Sequence, residues 1–173
     1  MSVETIDIKE AVEAVREASR HFADLYFYFV KVLVEELGEE KAKTLVQRVL
    51  FERSVERAKK MEKKAELFNK EKIPENIYYL TDVPFLGWVK ELGVNHCPYG
   101  AAWLTRYDEH PWFKEFAAFY CDVTDTSVAE LFTGCYSHKL TKNVVLGEES
   151  CERIYYKDDK VSAGEYTYGK KED

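Results

Sequence analysis

No two cysteines of this chain lie close together, no apolar run approaches the length of a membrane span, and acidic residues outnumber basic ones. Each absence narrows what the protein does. Cys97, Cys121, Cys135 and Cys151 are separated by 24, 14 and 16 residues. No pair has the two-residue spacing by which a zinc knuckle or simple iron–sulfur loop presents two thiolates from one turn. A metal would need thiols from separate elements to converge. The net charge of -7 argues against nucleic acid, whose affinity comes from Lys and Arg displacing counterions. Leu25 to Val30, resuming after Lys31 as Val32 to Val34, falls far short of the ~20 apolar residues that cross a bilayer. Met1 to Glu4 form neither a basic region nor the apolar stretch of a secretory signal, so a cytoplasmic location is expected. Thiols stay reduced there, and the four cysteines read as free thiols or ligands rather than disulfides. No internal repeat is present.

The chain does hold a folded core. Its 173 residues are 46% hydrophobic and 14% aromatic, which excludes wholesale disorder. Ile8, Val12, Val15, Phe22, Leu25, Phe29, Val32 and Leu33 fall at helical spacing, and Gly38 ends that helix. Glu39 and Glu40 then open a second helix whose stripe is Ala42, Leu45, Val46, Val49, Phe51 and Val55. From Glu56 to Lys64 the mixed charges suit a solvated helix face. Ile73-Pro74 breaks the helix. Beyond it, Ile77 to Leu80 are expected as a short strand and Phe85 to Leu92 as a short helix.

Pro98 opens a helical segment that places Tyr99, Ala102, Trp103 and Tyr107 on one face, and a further helix after Pro111 carries Cys121, Asp122 and Asp125. From Cys135 to Val145 the pattern favours extended chain, with Cys151 to Tyr156 returning as a second strand and Glu165 to Tyr168 as an edge strand. The expected class is α+β, an N-terminal helical hairpin packed on a C-terminal α+β unit with a small antiparallel sheet. Residues 1–72 read as scaffold, 73–168 as the chemical unit and 169–173 as a frayed tail. The N-terminal helices are the surface through which copies of the chain would self-associate.

Chemistry is expected between His96 and Cys151, where all the thiols and three of the four histidines crowd. Cys97 precedes a proline at a helix start, where backbone N–H groups would stabilise a thiolate. His96 beside it points elsewhere if the chain is extended there. Asp122 and Asp125, three apart on a helix, project to one side. Asp125-Thr126-Ser127 serves equally as a cap for a following helix. His138 lies on the extended segment, where a lone histidine is more often structural.

Cys97-Pro98, Tyr120-Cys121 followed by Asp125, and Gly147-Glu148 followed by Cys151 resemble the L-2-amino-thiazoline-4-carboxylic acid hydrolase family over Phe85 to Tyr156. Glu148 stands where the family favours Asp. Its members open a cyclic isothiourea to give N-carbamoylcysteine. The resemblance implies a small-molecule hydrolase, and the lack of any close cysteine pair leads us to expect no cofactor and no metal. Asp122 or Asp125 would be the base for water, His138 or His96 the donor to the amidine, and Arg153 or Lys142 the partner of the substrate carboxylate. Trp103 would flank the substrate, and Cys97 could attack first to give a covalent intermediate. Two rivals remain: a sensor that holds zinc, an iron–sulfur cluster or a small ligand on the four thiols, and a helical interaction protein without activity.

Overall fold

The computed structural model describes residues 5–93 and 96–168. The expected tail at 169–173 lies outside them, as do Met1 to Glu4. Helix α1, Ile8–Leu37, starts at Asp7, whose carboxylate accepts the Lys9 N–H at 2.8 Å. It ends at Gly38, where φ is +78° and only glycine turns without strain. Helix α2, Glu39–Leu67, runs back as the second arm of a hairpin. After it come α3, Pro74–Leu80, and two single 3-10 turns, Phe85–Trp88 and Lys90–Leu92. Then follow α4, Pro98–Leu104, and the long α5, Phe113–Thr133, closed by Gly134 in the left-handed region. Strands β1, Tyr136–Lys142, and β2, Glu152–Lys157, pair antiparallel, with His138 opposite Tyr155 and a register shift between Leu140 and Lys142. The four-residue α6, Asp159–Ser162, ends the regular structure. The protein is mostly helical with one two-stranded sheet, the α+β arrangement expected from its pattern. Among the described residues no helix is long and apolar enough to cross a membrane.

Helix α5 is the axis of packing. One apolar cluster joins Ala23, Phe27 and Val30 of α1 and Ala42, Val46 and Leu50 of α2 to Trp103 of α4 and Phe113, Phe116 and Tyr120 of α5. The second joins Ala58, Met61 and Ala65 of α2 to Leu80 of α3 and Val128 and Phe132 of α5. Rings meet edge to face, Phe27 with Phe113 at 4.9 Å and Trp103 with Tyr120 at 5.4 Å.

Several expectations fail for identifiable reasons. The stripe through Leu25, Phe29 and Val32 is exposed, and Phe27 and Val30 face inward instead. Between Leu25 and Val34 nearly every position is apolar, so periodicity could not select the face that meets the α4 and α5 rings. Likewise Val49 is exposed while Val46 and Leu50 are buried. The charged run of α2 is not wholly solvated, because Arg57, Ala58 and Met61 are buried and Lys64 donates to the Thr81 carbonyl at 2.9 Å. Ile77 to Leu80 belong to a helix: Pro74 sits at its first position, where a missing N–H costs nothing. Asp125-Thr126-Ser127 caps no helix, since α5 runs through it. Glu165 to Tyr168 form no strand. Instead Thr167 donates its N–H to Oε2 of the fully buried Glu130 at 2.9 Å, and the Tyr168 hydroxyl bonds Asp122.

Candidate functional site

A cavity of about 410 Å³ opens between α5, the start of α4, the segment from Ile77 to Lys90, and the β1–β2 hairpin with its loop. The floor is one face of α5. Cys121, Thr124, Asp125 and Val128 recur at three- and four-residue steps, and all four line the cavity. Opposite them stand Ile77, Tyr78, Val83, Phe85 and Trp88, an almost wholly apolar wall. Cys97 arrives from the turn before α4, and Cys151 and Arg153 from the hairpin side.

Three of the four thiols therefore meet at one cavity, and their surroundings differ. Burial pushes the Cys97 thiol up, against the backbone N–H groups of Gly100 and Tyr99 and the Trp88 indole, whose Nε1 lies 3.4 Å from Sγ. The sequence expectation of a stabilised thiolate is thus corrected, because burial outweighs the helix-start donors. Cys121 is raised further by burial, with the Asp125 carboxylate adding to it. Cys151 Sγ accepts the Val144 N–H at 3.4 Å. Cys135, just past Gly134, does not line the cavity.

The charged pair of the site is Asp125 and Arg153. Oδ2 of Asp125 accepts from Nη2 at 3.0 Å and Nε at 3.2 Å. Burial works against the Arg153 charge, but the neighbouring Asp125 carboxylate outweighs it, and the Arg153 pKa is raised. Arg57 enters the cavity from α2, tied back to Asp82 by Nε at 2.8 Å. Burial raises the Tyr99 and Tyr120 hydroxyls, which share a hydrogen bond at the cavity edge. His96 lines the same space beside Gly100.

Of the residues singled out from sequence, Cys97, His96, Asp125 and Arg153 come together here. The others lie elsewhere. Asp122 is turned about the helix from Asp125 and accepts from Tyr168. His138 is buried under α5, its Nδ1 3.3 Å from Thr126 Oγ1 and its ring against Tyr155, and burial pushes its pKa down. Lys142 is half exposed and paired with Glu152. Trp103 is fully buried in the core and donates to the Ala23 carbonyl at 2.8 Å. The expected cleft of Cys97, Asp122 and His138 is not formed, because the strand turns His138 toward α5 and the helix turns Asp122 toward the tail. Sequence reasoning missed Thr124 and Arg57. The spacing of Thr124 with Cys121 and Asp125 carries the first; nothing in a Lys- and Glu-rich run marks the second. Among the described residues no three His, Cys, Asp or Glu side chains converge as a metal site. Comparison of the chain with models of protein families, with curated proteins and with solved structures finds no match.

Proposed function

We propose that the cavity hydrolyses a cyclic C–N or C–S bond in a small amino-acid derivative such as 2-aminothiazoline-4-carboxylate. The observation that carries this reading is the Asp125–Arg153 pair set on the same cavity as the buried Cys97 thiol. Arg153 engages only Oδ2 of Asp125, which leaves Oδ1 to take a proton from water as it attacks the amidine carbon. His96 hydrogen-bonds the amidine nitrogen. The C–S bond breaks as the added oxygen closes to a carbonyl and gives its second proton to the ring nitrogen by way of His96, and the departing sulfur, hydrogen-bonded by the Cys97 thiol, takes the proton held by Asp125. The Trp88 indole and the N–H groups of Tyr99 and Gly100 hold Cys97 Sγ in place for that contact. Arg57 and Arg153 offer the substrate carboxylate its cations.

The test is to incubate the protein with 2-aminothiazoline-4-carboxylate and follow new thiol with a disulfide reagent, alongside a mass gain of one water. Asp125→Asn should lower the rate by about 100-fold or more while keeping the wild-type circular dichroism. An absence of thiol release by the wild-type protein removes this proposal.

A further inference from the structure

Between Leu25 and Val34, helix α1 is apolar on two opposite sides. On one of them Phe27 and Val30 are packed into the cluster that holds the α4 and α5 rings. A helix apolar all round is ordinarily covered all round. On the other side, however, Leu25 and Val32 are more than half exposed and Phe29 is 65% exposed. Leu45 and Val49 repeat this on α2, with Val49 at 62%. These are residues whose helical spacing predicts burial, and the fold leaves them facing outward.

The five side chains form one face. The Arg53 guanidinium of α2 lies 5.9 Å from the centre of the Phe22 ring of α1, which marks the seam between the two helices. Phe29 stands two turns from Phe22 along α1, and Val49 one turn from Arg53 along α2, both toward the turn at Gly38. Leu25 and Val32 lie one turn to either side of Phe29, and Leu45 one turn beyond Val49. Together they expose roughly 500 Å², toward the upper end of what a lone protein leaves as one apolar patch. A stable interface takes about 800 Å² from each partner, of which roughly 450–520 Å² is apolar. The face matches the apolar area of one such interface. Its bordering charges cancel: Lys31 pairs with Glu35 and Arg48 with Glu52, each within one helix, and the exposed Glu36 and Lys41 have opposite signs. No local excess of charge repels a like surface, although the whole chain carries -7.

We propose that this face is where two copies of the chain associate, the α1–α2 hairpin of one against that of the other about a two-fold axis. In such a pairing the same patch serves both sides, and an apolar patch with balanced charge meets that condition. With one phenylalanine and four aliphatic side chains, and no Trp, Tyr or Arg at its centre, the face gives a weak dimer, with Kd about 10–100 µM. None of the five residues lines the cavity, so association does not depend on what the cavity binds.

Sedimentation equilibrium of the full chain in reducing buffer, from about 1 to 500 µM, tests this. The mass should rise from 20.2 kDa at the dilute end toward twice that value. Phe29→Asp and Val49→Asp each put a charge into an apolar contact and should weaken association at least about 30-fold with unchanged circular dichroism. Tyr79→Asp, at an exposed ring on α3, should associate like wild type. A wild-type chain still monomeric at the top concentration, both Asp variants of the hairpin associating undiminished, or equal weakening by Tyr79→Asp would overturn the proposal. At about 1 µM the chain is monomeric, and the fold stability of variants on this face is read there.

Discussion

Two phenylalanines two positions apart on α1 differ sharply in their surroundings. Phe27 is 1% exposed and Phe29 65%. The Phe27 ring meets Phe113 at 4.9 Å and His110 at 5.1 Å, with the Arg106 guanidinium 4.9 Å from its centre. Phe27→Ala leaves a cavity against α5 and the segment that leads into it and should cost about 3–5 kcal/mol. Loss of the cation over the ring adds about 0.5–1 kcal/mol, less whatever Arg106 retains through Asp24 and Tyr28. For a chain of this length each kcal/mol shifts Tm by roughly 2–4 °C, so a fall of about 6–24 °C is expected. Phe29→Ala should stay within about 0.5 kcal/mol of wild type. Urea denaturation of both variants, with m held near the wild-type slope, supplies the comparison. Equal losses, or a larger one at Phe29, would mean that α1 is rotated from the orientation described.

Other outcomes follow from particular contacts. Glu130→Ala removes the acceptor of Ser137 Oγ at 2.6 Å and of the Thr167 N–H; it should lose roughly 2–3 kcal/mol and speed proteolysis after Val161, and unchanged cleavage would count against the clasp. Gly100→Ala puts a methyl 2.7 Å from Val144 Cγ1, so it should destabilise by about 1–3 kcal/mol and recover in the double variant with Val144→Ala. Because burial depresses the His138 pKa, the unfolded chain takes up a proton below pH 6.5 that the folded chain resists. Stability should therefore fall as pH drops through 6.5, more steeply in wild type than in His138→Gln, and identical slopes would refute it. A cavity ligand should protect Cys97, Cys121 and Cys151 from maleimide but leave Cys135 labelled at its free rate, as peptide mapping would report.

The helix starts and stops were legible where backbone chemistry dictates them, at Gly38 and Pro98. Facing was not. Within Leu25 to Val34 side-chain polarity gives no preference, and only the partner helices choose Phe27 over Phe29. The site was half legible for a related reason. Cys97, Asp125 and Arg153 stand out by type, but whether Asp122 or Asp125 faces the cavity is decided by where the tail lies, and Tyr168 claims Asp122.

The packing of α1 and α2 onto α5 also dictates an order of events during synthesis. The hairpin leaves the ribosome with Phe27, Val30, Val46 and Leu50 bare, and their cover, Phe113 to Thr133, is encoded well downstream. At about 5–20 residues per second the wait is several seconds. A nascent chain paused before α5 therefore displays the same apolar surface that the finished protein hides, and it is there that a holding chaperone would bind.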